Sequence, residues 1–391
     1  MIVKGENNQI IYLKQNVYEE ALNRIRYLFD EFENCVVGFS GGKDSTICLE
    51  LSLKVAAEKN RLPLKVLFLD QEAEWQNTID YVTEVMERKD VEPMWFQMPL
   101  KLFNATSHEQ DWLECWKEGD DWIREKVPYS YKENKYNCDR FADLFTHIFR
   151  HEFPDQRSCY IAGVRCEESP TRRMTLTQDV TYKWITWGKY LNKKLDHFTF
   201  YPLYDWSVYD VWKAIHQNNW NYNKIYDYYY RYGRPIMDMR VSNVHHETAI
   251  QDLLFMQEIE KETWNKIVKR IQGANTLSHL KQSWKIKELP FMFDDWVEYR
   301  DYLLEKLVQN QEQKERFRHK FEYYDNAFAG TPVYEKGLRV CITAVLKNDY
   351  HHTVFNNFIK NPSVYKYNKL RKYKVKEYGY KRTNTEQTTT A

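Results

Sequence analysis

Ser40-Gly41-Gly42-Lys43-Asp44-Ser45 gathers two glycines, a cation and two hydroxyls into one short stretch. That combination suits an oligophosphate. Glycines take backbone angles closed to other residues, so consecutive amides can turn toward an anion. Lys43 supplies a point charge, and Ser40 and Ser45 supply hydroxyl donors. In the DSTICLELSLKVAAEKN that follows, Ile47, Leu51, Val55 and Ala56 fall on one helical face. A helix starting there aims its free N–H groups and positive dipole end back at the loop. Two other phosphate loops fail on spacing. A Walker A loop needs a glycine where Val37 stands and Ser or Thr where Asp44 stands, and GxGxxG is absent. The competing reading is an ordinary tight turn, which the strand before it and the helix after it oppose.

The flanking elements must deliver that loop to a sheet edge. Val17, Ala21, Ile25, Leu28 and Phe32 recur at helical spacing, and CVVGFS (Cys35 to Ser40) is a short apolar run suited to a buried parallel strand. LKVLFLD (Leu64 to Asp70) is a second strand, Thr78 to Arg88 a second helix and VEPMWFQMP a third strand. This alternation predicts an α/β fold with a doubly wound, mostly parallel sheet. Asp70 then ends the second strand at the edge where such sheets bind ligands. It could accept from a ribose hydroxyl or adenine amine, hold Mg²⁺, or cap a helix. Glu72 and Asn77 are weaker candidates. After a further strand, SCYIAGV (Ser158 to Val164), Gly163, Arg165, Arg172 and Arg173 lie in a loop suited to bidentate recognition of sulfate or phosphate. Glu167 and Glu168 would orient the arginines, and a solvated salt-bridged loop is the alternative. Lys183 and Arg240 are further candidate anion contacts.

Residues 1–242 read as one nucleotide-binding domain with a Trp-rich insertion at about 104–136. A mainly helical domain follows over 243–379, and 380–391 reads as a disordered tail. The helix 207–218, with Trp206 and Trp212, reads as core packing. Tyr226, Tyr228, Tyr229, Tyr230 and Tyr232 could stack a nucleobase, although packing under the C-terminal region is the plainer use. Basic and aromatic residues interleave over 360–382, a composition that holds phosphate backbones and stacks unpaired bases; a solvated terminal arm would look the same. Cys115, Cys138, His147 and His151 lack the close cysteine pairs of zinc sites. With 57 Lys plus Arg against 56 Asp plus Glu, a net +1 argues against a globally polycationic nucleic-acid coat. Seven scattered cysteines, no signal-peptide pattern and no run near ~18 apolar residues predict a cytoplasmic chain with no membrane span.

These segments resemble the PP-loop ATP pyrophosphatase superfamily, which includes phosphoadenosine phosphosulfate (PAPS) reductases, ATP sulfurylase small subunits and the PP-loop proteins of DNA phosphorothioation. SGGKDS looks like its loop, and LFLDQEAEWQNTIDYV (Leu67 to Val82) like its second-strand segment. AGVRCEESPTRR (Ala162 to Arg173) is similar to its Gly-x-Arg-x-x-Glu-Ser-x-x-Arg loop, and YPLYDWSVYDVWKAI (Tyr201 to Ile215) to its Tyr-Pro-Leu segment. WLECWKEGDDWIREKVP and MDMRVS (Met237 to Ser242) are similar to the IbrA-like subgroup. That subgroup carries an extra C-terminal domain of unknown function and commonly pairs with a ParB-like partner.

The resemblance implies an adenine nucleotide α-hydrolase-like fold that binds ATP or a PAPS-like adenine nucleotide, with Mg²⁺. It implies adenylation of an acceptor with release of pyrophosphate. Lys43, Asp44 and Arg165 would serve catalysis, and Ser40 to Ser45, Asp70, Gly163 and Arg165 would surround the nucleotide. The alternative is a non-catalytic nucleotide-binding regulator acting with a ParB-like partner or DNA. A true reductase would need a C-terminal Cys-Gly-x-His type motif. No cysteine lies between Cys166 and Cys341, and Cys341 sits in an apolar helix-like run. Sulfonucleotide reduction is therefore disfavoured, and no iron–sulfur cluster is expected.

Overall fold

The computed structural model describes residues 14–104, 112–169, 172–173, 176, 182–183, 185–241, 250–271 and 288–370. The chain divides into two compact units. The first comprises Met1–Leu102, Glu114–Val244 and Phe255–Arg270; the second comprises Phe103–Leu113, His245–Leu254 and Ile271–Ala391. The first unit thus runs past the expected boundary at 242 and takes in a helix from the C-terminal region.

In the first unit, strands β1 (Asn34–Gly38), β2 (Leu64–Leu69), β3 (Val91–Phe96), β6 (Ser158–Ile161), β7 (Gly188–Asn192) and β8 (His197–Phe200) form one sheet in the order β3-β2-β1-β6-β8-β7. β4 (Leu100–Phe103) and β5 (Trp112–Cys115) form a separate pair, whose residues Phe103, Trp112 and Leu113 are counted with the second unit. All contacts in the large sheet are parallel except the edge pair β7–β8. Helices α1 (Val17–Glu31), α2 (Lys43–Glu58), α3 (Gln76–Met86), α4 (Phe141–Glu152), α5 (Val208–Asn218), α6 (Ile225–Arg231) and α8 (Lys261–Arg270) belong to the first unit, and α7 (Ile250–Ile259) is divided between the two units at Leu254. The expected α/β fold, a doubly wound and mostly parallel sheet, is what forms.

The strands alternate as a buried sheet requires. Cys35, Val37, Val66, Phe68, Cys159, Ile161, Phe198 and Phe200 enter one apolar cluster with Ile25, Leu28, Ile47, Leu51, Val82 and Ile215 from the helices. Val36 and Leu67 face the other way and are equally buried, so the sheet is covered on both sides. Strand order reverses at β1, which pairs with β2 on one side and β6 on the other. The crevice of such a sheet opens at the carboxyl ends of the strands flanking that reversal. The loops after β1 and β6 lie there.

In the second unit, α9 (Trp296–Leu307), α10 (Gln311–Phe328), α11 (Tyr334–Leu346), α12 (Thr353–Lys360) and the short α13 (Pro362–Tyr365) pack around Leu304, Phe317, Tyr324, Ile342, Val345 and Phe355. The expected tail 380–391 and residues 371–382 of the basic stretch fall outside the described residues.

Candidate functional site

The chain leaves β1 with Phe39 still paired to Leu67 O at 2.9 Å, then turns through Ser40, Gly41 and Gly42. Gly41 has φ +70°, a left-handed angle that favours glycine, and a Cβ there would also meet Thr78 Cγ2 at 2.9 Å. Gly42 is the N-cap of α2, and no side chain caps the helix end from that position. Ser45 Oγ donates to Gly42 O at 2.9 Å and lies 3.2 Å from Ser40 Oγ, and Thr46 Oγ1 donates to Gly42 O at 3.0 Å. These bonds fix the turn from within.

Two buried cations, Lys43 and Arg165, meet on the Asp44 carboxylate beside it. Lys43, only 3% exposed, places Nζ 3.0 Å from Asp44 Oδ2, and Arg165 Nε reaches Asp44 Oδ1 at 2.5 Å. Burial works against the charged form of Asp44, but Lys43 and Arg165 outweigh it and hold its carboxyl below the usual range. Arg165 also donates to Glu167 Oε2 at 2.7 Å, and Glu167 Oε2 accepts the Val208 amide at the start of α5 at 2.7 Å. The loop after β6 is thereby tied to two helix starts. Gly163 makes the approach possible: a Cβ there would stand 2.5 Å from Asp44 O. Arg172 pairs with Glu168, and Arg240 Nη2 donates to Glu168 O, so both reach this loop. Arg173 is exposed on the same segment, its amide bonded to Ser169 O at 3.0 Å.

Lys183 is not brought here. Its ammonium pairs with Glu31, beside Arg157, at the amino-terminal ends of β1 and β6. It belongs to the opposite edge of the sheet from the glycine turn. Residue type alone could not say which edge the chain would reach.

Three residues that sequence reasoning did not assign to the loop hold it in place. Tyr226 OH accepts from the Lys43 amide at 3.0 Å, and its ring lies 5.5 Å from Lys43 Nζ. Met239 O accepts from Lys43 Nζ at 3.1 Å. Asn223 is fully buried, and its Nδ2 donates to Gly41 O at 3.1 Å and Thr78 Oγ1 at 2.9 Å. The available signal was Asn223 preceding a helix, a capping pattern; Asn223 Oδ1 does accept the Ile225 amide at 3.0 Å.

Asp70 ends β2 as expected, but it is wholly buried and already saturated. Oδ2 accepts from Trp95 Nε1 at 2.9 Å and Gln97 Nε2 at 3.1 Å, while Oδ1 accepts from the Glu72 amide at 2.9 Å and from Arg124. As found, it organises the strand end, and the arrangement does not fit it as an open magnesium ligand. Glu72, at φ +63° and equally buried, accepts from Arg270 Nε at 2.8 Å and Nη2 at 3.2 Å, and from the Trp116 amide at 2.7 Å. The Trp-rich insertion and α8 thus both close on the segment after β2. Cys115, Cys138, His147 and His151 are not gathered: Cys115 Sγ meets Gln71 O at 3.2 Å, and His147 Nδ1 meets Tyr136 O at 3.1 Å.

Residues 34–232 match the phosphoadenosine phosphosulfate reductase domain. The chain belongs to the phosphoadenosine phosphosulfate reductase family. Residues 233–336 of this family member match a domain of unknown function, DUF3440. The chain is 26% identical to the uncharacterized protein YbdN of Escherichia coli over 94% of its own length and 97% of that protein. It is 24% identical to an adenosine 5'-phosphosulfate reductase of Lysinibacillus sphaericus, over 54% of this chain and 76% of that one. It is also 24% identical to sulfate adenylyltransferase subunit 2 of Acinetobacter baylyi, over 59% and 71%. Among solved structures, an FMN adenylyltransferase of Candida glabrata aligns at TM-score 0.34 and 16% identity, covering 56% of this chain and 62% of that one. Among the described residues, no helix of this reductase-family chain is long and apolar enough to cross a membrane.

Proposed function

We propose that this chain binds ATP or a related adenine nucleotide on the 40–45 turn and adenylates an acceptor. An acceptor oxygen attacks the α-phosphorus, the bond to the bridging oxygen breaks, and pyrophosphate leaves with that electron pair. The observation that carries the reading is the left-handed Gly41 feeding an N-terminus of α2 that Gly42 leaves without a side-chain cap. Amides there can follow phosphate oxygens, and Lys43 can exchange Met239 O for one of them. Catalysis would be mainly positioning and charge stabilisation by Lys43 and Arg165, with Asp44 holding both cations in register.

The second reading is a nucleotide-binding regulator acting with a ParB-like partner or DNA. It is favoured by the engagement of the Lys43 amide and ammonium with the chain's own Tyr226 and Met239. Sulfonucleotide reduction draws no support from the thiols. Burial pushes Cys166, beside the site, up to about 11, and Cys341 lies wholly inside the apolar core of the second unit.

Calorimetry with ATP tests the binding step, and pyrophosphate release across an acceptor panel that includes nucleic acid tests turnover. Lys43→Ala should cut turnover about 100-fold or more, as loss of one preorganised charge contact does. ATP binding with no pyrophosphate from any acceptor would favour the regulator. The absence of ATP binding would overturn both readings.

A further inference from the structure

The chain between Tyr226 and Met239 leaves the phosphate turn and returns to it. It starts where Tyr226 OH holds the Lys43 amide and ends where Met239 O holds the Lys43 ammonium. Between those anchors lies a surface that the adenylation reading does not use. Tyr230, one turn after Tyr226 on α6, is 77% exposed, Tyr232 is 46% exposed and Met237 is 45% exposed. Large apolar side chains this open, grouped on one short segment, ask for a partner.

The charges say which kind. From Lys224 to Arg240 the chain carries Lys224, Arg231, Arg234 and Arg240 against Asp227 and Asp238. Asp227 is engaged by the Tyr222 hydroxyl at 2.7 Å. Arg231, between Tyr230 and Tyr232, and Arg240, whose Nη2 also donates to Glu168 O, are both exposed. An apolar protein partner would want a continuous dry patch. Here cations alternate with tyrosines, Tyr230 open and Tyr232 half open with its ring against Phe255 at 5.8 Å, the pattern that holds a phosphate backbone while unpaired bases stack. Paired bases hide their faces, so a duplex would leave the tyrosines idle.

We infer that the segment from Tyr230 to Arg240 is a docking surface for single-stranded nucleic acid, beside the nucleotide turn. A strand lying there has its backbone on Arg231 and Arg240 and its bases on Tyr230 and Tyr232. The inference stands independently of adenylation, because it concerns binding alone and needs no nucleotide in the turn.

Fluorescence anisotropy with labelled single-stranded RNA and DNA 20-mers, and a matched duplex, tests it on the full chain over a KCl series. Single strands should bind more tightly than the duplex, with affinity falling steeply as salt rises. Tyr230→Ala should weaken binding about ten-fold, as loss of one stacked base does. Arg231→Gln should flatten the salt dependence by about one phosphate contact. Tyr230 is open to solvent, so its variant folds, and ATP calorimetry on the same sample confirms that the turn is intact. Equal binding of duplex and single strand, no strand binding, or strand binding unchanged in Tyr230→Ala and Arg231→Gln would each overturn the inference. The last result would assign any affinity to another basic segment. Strand binding without ATP binding would overturn the nucleotide reading and leave this one standing.

Discussion

Gly163 and Asp44 meet so closely that no other residue fits at 163. A Cβ built there would lie 2.5 Å from the Asp44 carbonyl oxygen and 2.7 Å from its carbon, with Ser45 N at 3.0 Å. All three are backbone atoms at the start of α2, which cannot swing aside as a side-chain tip can. The loop after β6 and the start of α2 therefore pack backbone against backbone at the switch point of the sheet. Gly163→Ala should push the helix start away from the turn, costing about 1–3 kcal/mol of stability. Affinity for ATP should fall with it, by about ten-fold for each 1.4 kcal/mol of misplacement. Thermal unfolding and calorimetry read the two effects. Parent-like ATP affinity in the alanine variant would show that the two loops do not act together.

Glu72 and Arg270 carry the next expectation. The carboxylate is wholly buried and takes two guanidinium bonds from α8, in the stretch matched by the domain of unknown function. Arg270→Met leaves that charge with backbone amides alone, and removing one partner of a buried pair costs about 3–5 kcal/mol. Adding Glu72→Gln should recover much of the loss, because the uncompensated charge goes with it. Urea unfolding of the single and double variants measures this. If Arg270→Met unfolds like the parent, α8 is not an integral part of the first unit.

Tyr226→Phe deletes the hydroxyl that accepts from the Lys43 amide while keeping the ring against Lys43. A buried amide deprived of its partner costs about 1–3 kcal/mol. A phosphate oxygen can replace the lost hydroxyl, so saturating ATP should raise the melting temperature of this variant more than that of the parent. An equal or smaller rise would mean that phosphate does not reach the Lys43 amide.

What could be read in advance follows the physics of each feature. The turn at 40–45 was legible because glycines, a lysine and a following amphipathic helix are all local signals. The core strands were legible because parallel strands buried on both faces read as apolar runs. Strands β7 and β8 were not. β7 is a half-exposed edge strand, and GKYLNKKLDHFTF mixes lysines with aromatics because only its pairing with Phe198 and Phe200 shapes it. Asp70 was rightly placed at a strand end, yet its saturation by Trp95, Gln97 and Arg124 depends on chain segments far away in sequence. Tyr226 and Met239 reach Lys43 only through the path of the chain after α5. Such long-range closure leaves no periodic trace.

Glu74 supplies a pH test of the buried acidic segment. It is 5% exposed; burial, reinforced by the nearby Asp70 charge, pushes its carboxyl up to about 8, with Arg124 acting the other way. An unfolded chain would ionise this group near its ordinary value, about 4.3. Between those two values the native state therefore binds more protons than the unfolded state, and the group's contribution to stability falls as pH rises, by about 1.4 kcal/mol per pH unit. Above pH 8 the native carboxyl also ionises, and the penalty levels off. Glu74→Gln keeps the shape and removes the titration. At pH 5 the variant should match the parent, and by pH 8.5 it should be the more stable of the two. Melting temperatures of both proteins at half-unit pH steps provide the measurement. A constant offset across that range would mean that Glu74 is already ionised in the folded protein.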